Sequence, residues 1–286
     1  MTTDSANSGT GPVSSSGVLP GAEPFEATPD GGDGRLGVLL CHGFTGSPQS
    51  LRPWAQYLVE AGFRVSLPRL PGHGTHWRDL QSTTWEDWYA EAEKALLRLL
   101  DECDAVFVGG LSMGGGLALR LAEVHGDTIR GVAVVNPSVK RNSPREALIP
   151  LLARFVPSMP GIASDIKRPG PGELAYDKVP LKAALSLTKL WATVEADLPK
   201  VTAPLLLFRS PEDHVVHPSN SALVLEKVGS TDVTEVLLPN SYHVATLDND
   251  ASTIFADSAG FFRRLAAEPA QAPDPAVAAD GSEAPV

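Results

Sequence analysis

The chain has 286 residues, of which 43% are hydrophobic, so it is long and apolar enough for one large α/β domain or two small ones. Its net charge of −11 lies mostly at the two ends: residues 1–33 and 268–286 hold nine acidic residues and no lysine or arginine, which leaves −2 between them. A nearly neutral centre gives no indication of nucleic-acid binding or of attraction to an anionic membrane. No stretch approaches the roughly 18 consecutive apolar residues of a membrane-spanning helix.

The two ends of the chain are predicted to be disordered tails. Residues 1–22 are rich in Ser, Gly, Thr and Pro, and residues 268–286 are rich in Ala, Pro, Asp and Glu. The N terminus has neither the basic nor the apolar region of a secretory signal. Cys41 and Cys103 lie in or beside apolar runs, a position that favours buried, reduced thiols. Together these features predict a cytoplasmic protein.

Residues 23–267 alternate between short apolar runs and helical patterns. Most of the runs are apolar throughout, which is typical of strands in a parallel sheet that is covered by helices on both faces. Strand and helix taken in turn predict an α/β domain with a mostly parallel central sheet. Strands are expected at 23–27, 36–41, 63–67, 104–109, 130–135, 204–209 and 233–238, and helices at 48–61, 85–102, 113–124, 218–228 and 249–266.

The alternation is interrupted once, between Asn136 and about Val201, where no strand is predicted. Helical patterns at 144–155 and 181–195 flank a stretch rich in Pro and Gly. We interpret residues 137–200 as a small helical cap, because they interrupt an otherwise regular pattern; the alternative is an ordinary helical layer of the same core. In a cap, the apolar side chains of Leu148, Leu152 and Phe155 are expected to line a substrate site.

The serine of the pentapeptide Gly110-Leu111-Ser112-Met113-Gly114 is the candidate nucleophile. An apolar run ends immediately before it and a helical pattern begins immediately after it, which is the context that a G-x-S-x-G turn requires. Glycines on both sides allow the strand and the helix to pass close to each other, and the helix N-terminus can bind developing negative charge. Taken alone, the pentapeptide is equally compatible with a serine that only caps the helix.

A serine nucleophile needs a base and an acid, and candidates for both follow later strands. Asp213 comes after the run at 204–209, and His243 comes after the last run. Open α/β sheets place their sites at the carboxyl ends of strands, so these residues are expected to meet Ser112 there. Asp248 remains a rival acid or a hydrogen-bond partner of the same loop, and His214 and His217 remain rival bases.

The turn His42-Gly43-Phe44-Thr45-Gly46 follows the run at 36–41 and is the candidate oxyanion hole. The backbone N–H of Phe44 would act there together with the N–H of Met113. The chain has no HxxxH or CxxC spacing, so no metal site is predicted. The chemistry of the three side chains and two amides requires no cofactor.

These motifs resemble those of the α/β-hydrolase superfamily, and within it the small bacterial carboxylesterases and monoacylglycerol lipases. The resemblance covers roughly residues 23–265 and implies an α/β-hydrolase fold. It also implies that Ser112 is the nucleophile, Asp213 the acid and His243 the base, that Phe44 and Met113 form the oxyanion hole, and that the cap is a lid over an acyl pocket. Tyr242 departs from the pattern, since a glycine often precedes the histidine. The segments that carry the resemblance are 42–46, 71–74, 110–115 and 243–248.

The function predicted from these residues is hydrolysis of carboxylic esters with short- to medium-chain acyl groups through a covalent acyl-enzyme. The partner is then a small-molecule ester, with no nucleic acid and no membrane insertion, and the oligomeric state is open. A thioesterase or an acyltransferase would use the same triad. A non-catalytic ligand-binding relative is a further alternative, which the complete triad disfavours.

Overall fold

The computed structural model describes residues 17–31, 34–141, 149–161, 164–170 and 172–268. Within these residues, seven of the nine strands form one sheet, and the other two form a separate antiparallel pair, β6–β7. In chain order the strands are β1 (Phe25–Ala27), β2 (Leu36–Cys41), β3 (Arg64–Leu67), β4 (Ala105–Leu111), β5 (Ile129–Val135), β6 (Ser158–Pro160), β7 (Lys178–Pro180), β8 (Leu205–Arg209) and β9 (Val233–Leu237).

The strand order in the large sheet is β1-β3-β2-β4-β5-β8-β9. Strand β1 pairs antiparallel with β3, and every other neighbouring pair is parallel. All seven predicted strands are present, and the predicted mostly parallel sheet is confirmed. Because β2, β4, β5 and β8 are adjacent and parallel, the residues that follow them meet at one edge of the sheet.

The helices agree with most of the predicted ranges, and α3 begins and ends where it was expected. Its first turn is held by a capping box, in which the Thr84 backbone N–H donates to the Asp87 carboxylate at 2.8 Å. The helices are α1 (Arg52–Glu60), α2 (Trp77–Leu80), α3 (Trp85–Glu102), α4 (Met113–His125), α5 (Ile149–Leu152), α6 (Leu181–Asp197), α7 (Ser219–Lys227) and α8 (Ala251–Ala267).

The apolar core lies on both faces of the sheet. On one face, Trp54 of α1 and Phe262 of α8 pack in the same cluster as Phe107 of β4, whose ring stacks on that of Phe262 at 4.7 Å between centroids. On the other face, Trp88 of α3 and Leu117 of α4 are fully buried. The serine turn between β4 and α4 is therefore supported from both sides.

The segment after β5 differs from the prediction in two ways. The expectation that it contains no strand is wrong, because β6 and β7 form a short antiparallel pair. In addition, α6 packs into the core through Leu190 and Val194, both fully buried. Helix α6 is thus a layer of the core as well as part of the insert. Of the helical pattern predicted at 144–155, the structure describes a single turn, α5, and residues 142–148 lie outside the described part of the chain.

The N-terminal boundary of the folded part also differs from the prediction. Residues 17–22 were expected in a disordered tail, yet Val18 and Ala22 are buried, and the Leu19 backbone N–H donates to the Gly74 carbonyl oxygen at 2.8 Å. The remainder of the two predicted tails, residues 1–16 and 269–286, lies outside the described residues.

Candidate active site

Ser112 occupies a strained turn at the end of β4. Its φ of 57° lies in the left-handed region, which non-glycine residues seldom adopt. The turn is closed by backbone contact: a Cβ on Gly114 would lie 1.9 Å from the Cys41 carbonyl oxygen, and one on Gly110 would lie 2.3 Å from the Gly114 backbone. No side chain fits at either position. The two glycines of the motif are therefore required for the close approach of strand and helix that presents Ser112 to the cavity.

The structure brings His243 and Asp213 together at the same edge of the sheet. His243 Nδ1 lies 2.8 Å from Asp213 Oδ2, and both side chains are more than nine-tenths buried. The second oxygen, Oδ1, accepts the backbone N–H groups of Val215 and Val216, each at 2.8 Å. Since a carboxylate accepts from Nδ1–H, the neutral ring carries its proton on Nδ1 and keeps the Nε2 lone pair for a donor. His243 and Ser112 line the same cavity.

The surroundings of His243 favour its charged form. Burial lowers the pKa of the ring, but the Asp213 charge and hydrogen bond, with smaller contributions from Glu173 and Asp165, outweigh it and raise the pKa above 6.5. A histidine base must hold a proton while a tetrahedral intermediate exists. The three acidic side chains are placed to stabilise a charged His243 ring.

The rival acid and the rival bases have other partners. Asp248 is buried and accepts backbone N–H groups of Lys167, Arg168 and Tyr242 at 2.7–2.9 Å. His214 is half exposed and pairs with Asp165 at 2.9 Å. His217 Nδ1 lies 3.0 Å from Ser219 Oγ. The geometry therefore pairs His243 with Asp213 and places His243 and Ser112 in the wall of one cavity, and the catalytic roles of the three residues stay a prediction.

The turn that carries Phe44 lies directly against Ser112. A Cβ on Gly43 would be 3.5 Å from Ser112 Cβ. The buried His42 ring accepts the Leu70 N–H at Nε2 (3.1 Å), so its Nδ1–H donates to the Gly43 carbonyl oxygen at 3.0 Å. N–H and C=O of one peptide unit point in opposite directions, so the Phe44 N–H points away from His42. The Met113 N–H begins α4 and has no acceptor within the helix.

His42 and His73 form a buried, uncharged pair behind this turn. Their rings meet edge to face with centroids 5.0 Å apart. Burial lowers the pKa of His42 to about 4, and burial together with the neighbouring His42 keeps the pKa of His73 well below 6.5. Both rings are therefore neutral near pH 7 and serve to hold the turn.

A cavity of about 670 Å³ opens beside Ser112 and His243. Leu152 lines it, as predicted, but the same prediction is wrong for Phe155, whose surface is 79% exposed on the outside of the cap. Leu148 lies outside the described residues. Leu152, at the end of the short α5 helix, faces the cavity, whereas Phe155, three residues later, is exposed to solvent. The apolar walls also include Ile149, Met159, Val179, Leu181, Leu187, Trp191 and Val216.

Two carboxylates in the cavity wall, Asp165 and Glu173, were not found from the sequence. Burial raises the pKa of Glu173, although the His243 charge and the Ser164 backbone partly offset this. Its Oε1 would lie 2.8 Å from a Cβ on Gly46, so it reaches the oxyanion turn. Both residues come from the Pro- and Gly-rich stretch, where no periodicity reveals which side chains face inward. An isolated acidic residue in a cap segment is the only signal that was present.

Other chemistry finds little support in the described residues. They contain no group of three or more His, Cys, Asp or Glu side chains placed to hold a metal ion. Cys41 and Cys103 are unpaired, and burial raises the pKa of the Cys41 thiol to about 12, so it stays protonated. Within the same residues no helix has the length and apolar character to cross a bilayer.

A serine at a strained strand-to-helix turn, followed in the chain by an aspartate and a histidine that are hydrogen-bonded to each other, defines the α/β-hydrolase class. Comparison with known proteins agrees: residues 33–250 match the family described as serine aminopeptidase, S33. The chain belongs to this family of α/β-hydrolases.

Relatives of known activity match nearly the whole folded region. The thermostable monoacylglycerol lipase of Bacillus sp. (strain H-257) is 44% identical over 256 residues, which cover 87% of this chain and 97% of that protein. The carboxylesterase of Bacillus subtilis (strain 168) is 26% identical over 85% of this chain and 97% of its own length. A solved structure from a study of two metagenome-derived lipolytic enzymes, LipS and LipT, superposes with a TM-score of 0.83 at 42% identity and covers 86% of this chain and 99% of that one.

Proposed function

We propose that the protein hydrolyses carboxylic esters with short- to medium-chain acyl groups, monoacylglycerols among them. The observation that carries this proposal is the apolar cavity that opens directly onto Ser112 and His243. The similarity to a monoacylglycerol lipase at 44% identity supports it. We propose a role in this reaction for each of the five predicted site residues.

In the proposed reaction Ser112 Oγ attacks the ester carbonyl carbon while His243 Nε2 takes the hydroxyl proton. The carbonyl oxygen becomes an oxyanion that the Phe44 and Met113 N–H groups bind, and Asp213 stabilises the imidazolium. When the intermediate collapses, the alcohol leaves with the proton from His243 and the acyl group stays on Ser112. Water, deprotonated by His243, then attacks the acyl-enzyme, and the carboxylic acid is released as Ser112 regains its proton.

The two sides of the ester would meet different walls. Leu152, Leu187 and Trp191 offer the acyl chain an apolar surface, where each buried methylene contributes about 0.8 kcal/mol. Glu173 offers a carboxylate beside the oxyanion turn, which can accept hydrogen bonds from the hydroxyl groups of a polyol such as glycerol. A leaving alcohol with no further hydroxyl group would offer this carboxylate no donor, so the arrangement favours a polyol leaving group.

The nucleophile is tested by Ser112→Ala. We expect loss of fluorophosphonate labelling and a fall in kcat of roughly 10⁶-fold, the order seen when a serine protease loses its nucleophile. The unfolding temperature should change little. Ser82→Ala, which removes an exposed serine hydroxyl on the surface, is the control and should label as the wild type does. Covalent labelling that persists in Ser112→Ala would disprove the assignment.

The substrate class is tested by comparing kcat/KM on a panel with matched acyl chains. The panel contains monoacylglycerols, p-nitrophenyl esters, acyl thioesters and, because of the family description, amino-acid p-nitroanilides. We expect esters to be preferred and the glycerol ester to exceed a simple methyl ester of the same acid. Highest kcat/KM on a thioester, or on an anilide, would replace the proposal with the corresponding hydrolase.

We also propose a cytoplasmic location. The supporting observation is that the two cysteines are unpaired, Cys41 fully buried and Cys103 partly so, which suits a reducing compartment. Fractionation of the source cells with an antibody to the chain tests this, and recovery from the extracellular medium would contradict it.

A further inference from the structure

A short piece of the insert is bound across the loops that carry Asp213 and His243. We call residues 164–168 the strap. The Val244 N–H donates to the Asp165 carbonyl oxygen at 3.1 Å. The Lys167 and Arg168 N–H groups donate to the Asp248 carboxylate at 2.7 and 2.9 Å, and the strap residue Ile166 packs against the apolar core. The strap is thus attached to the His243 loop at both of its ends.

The side chain of Asp165 joins this loop to the loop of Asp213. Its Oδ2 accepts two backbone N–H groups, that of His243 at 3.1 Å and that of His214 at 3.2 Å. Its Oδ1 pairs with the His214 ring at 2.9 Å, and its side chain is only 10% exposed. His214 directly follows Asp213 in the chain. One carboxylate therefore links the backbone of the proposed base to the residue after the proposed acid.

The charge of Asp165 acts on the same histidine. The acidic groups that favour the charged His243 ring are Asp213 from the loop after β8, and Glu173 and Asp165 from the insert. On the outer side, the hydrogen bond and charge of Asp165 raise the pKa of the exposed His214 ring, with smaller contributions from Glu212 and Asp213. Asp165 is placed to act on His243 both by geometry and by charge.

We propose that Asp165, which belongs to the insert, is a positioning residue for ester hydrolysis. It holds the His243 backbone in a fixed position relative to Asp213. This inference rests on the proposed function of Ser112 and His243. The two effects of Asp165 are separable. The hydrogen bonds to the backbone need only an acceptor at the Oδ2 position, whereas stabilisation of the imidazolium needs the negative charge.

Two variants separate these effects. Asp165→Asn keeps an amide oxygen that can accept both N–H groups but removes the charge, and Asp165→Ala removes both. Glu212→Gln is the control, because it removes a nearby negative charge whose ion pair, with Lys167 at 2.8 Å, lies on the surface. All rates are measured on the full-length chain and normalised to active sites by the fluorophosphonate burst.

We expect Asp165→Ala to lower kcat by about tenfold or more with little change in KM, because small displacements of a catalytic group are costly. Asp165→Asn should stay within about threefold of the wild type in kcat, as the geometry of the loop is kept. In both variants the acid limb of the pH profile of kcat/KM should move to lower pH. Loss of a negative charge that favours protonated His243 lowers the pKa of its ring. Glu212→Gln should leave kcat and the acid limb close to those of the wild type.

A merely structural Asp165 would give a different result. Its loss would lower the unfolding temperature or the number of active sites. The kcat per active site and the acid limb of the kcat/KM pH profile would then match those of Glu212→Gln. That result would overturn the proposal. If Asp165→Ala does not fold, Asp165→Asn decides alone, and an unchanged acid limb overturns the proposal. Failure of the wild type to label at Ser112 would instead contradict the proposed function, so the two failures are distinguishable.

Discussion

The floor and the roof of the cavity are built in different ways. The floor, formed by the turns at 42–46 and 110–116, is closed by backbone against backbone, with glycines at positions where a single Cβ would overlap a neighbour. The roof, residues 149–161 and 178–191, is closed by side chains, and some of them, such as Leu151 and Phe155, face solvent. Backbone contacts tolerate no substitution, whereas side-chain contacts can be exchanged one at a time.

This difference suggests that the floor and the roof have different functions. We expect the reaction to depend on the floor, where the positions of Ser112, the candidate oxyanion amides and the strand ends cannot vary independently. We expect the choice of substrate to depend on the roof and on Glu173, where one side chain can change without moving the others. Changes to the floor should therefore abolish catalysis or folding, and changes to roof side chains that line the cavity should mainly alter the substrate profile.

After Ser112→Ala, the largest effect is expected where the proposed chemistry depends on one buried carboxylate. Asp213→Asn should lower kcat on the order of 10⁴-fold, because the imidazole can then adopt the wrong tautomer. Asp248→Asn should instead lower the free energy of unfolding, because the amide nitrogen replaces one carboxylate oxygen and leaves two backbone N–H groups without an acceptor, at a cost of about 1–3 kcal/mol each. Steady-state kinetics and urea unfolding of both variants check this. The reverse ranking in kcat would make Asp248 the acid.

The rigidity of the floor is tested by two helical glycines. Gly114→Ala should lower the free energy of unfolding by at least about 3 kcal/mol, because its Cβ would lie 1.9 Å from the Cys41 carbonyl oxygen. Gly260→Ala, within α8 and with nothing within 4 Å of its added Cβ, should raise it by about 0.5–1 kcal/mol, the helix propensity difference. Equal stability of the two variants in urea unfolding would mean that the turn can relax.

The neutral histidines behind the floor predict a dependence of stability on pH. Because the pKa of His42 is lowered to about 4, and that of His73 well below 6.5, the unfolded chain takes up protons that the folded chain does not. The free energy of unfolding therefore keeps its full value above pH 6.5. It falls as the pH drops towards 4, by about 1.4 kcal/mol per pH unit for each histidine.

Urea unfolding of the wild type between pH 5 and 7 measures this slope. His73→Gln, which keeps a donor for the Pro71 carbonyl oxygen, should reduce the slope by about 1.4 kcal/mol per pH unit. A slope that is the same in the variant and the wild type would mean that His73 is already protonated in the folded state.

The smallest effect is expected in the roof. For straight-chain esters, kcat/KM should rise by about fourfold per methylene, corresponding to 0.8 kcal/mol, until the cavity is full, and then fall. Leu152→Ser should flatten this rise while turnover of acetate esters is kept, because Leu152 lines the cavity. Phe155→Ser, three residues further along on the outer surface, is the matched control. The same profile in Leu152→Ser and the wild type would exclude Leu152 from the acyl site.

Local sequence patterns were enough to predict the sheet, most helices and the residues of the floor. Each feature of the serine turn could be predicted from a local pattern in the sequence. These features are the strand before Ser112, the glycines around it, and the order Ser112, Asp213, His243, in which the last two residues follow strands. The sequence also predicted Asp213 rather than Asp248 as the acid, since only Asp213 directly follows a strand end.

The insert could not be predicted in the same way, because the environment of its side chains is set by contacts far away in the chain. The sequence alone did not show that Phe155 faces solvent while Leu152 faces the cavity, nor that α6 is part of the core. Asp165 and Glu173 sit in a stretch without periodicity, and their roles depend on His243 and Gly46, which are distant in sequence. The sequence by itself determined the sheet and predicted the candidate reacting groups at its edge. Only the tertiary structure decided which carboxylates surround His243 and which apolar side chains the substrate would meet, because burial and charge at those positions arise from segments that meet only in the folded chain.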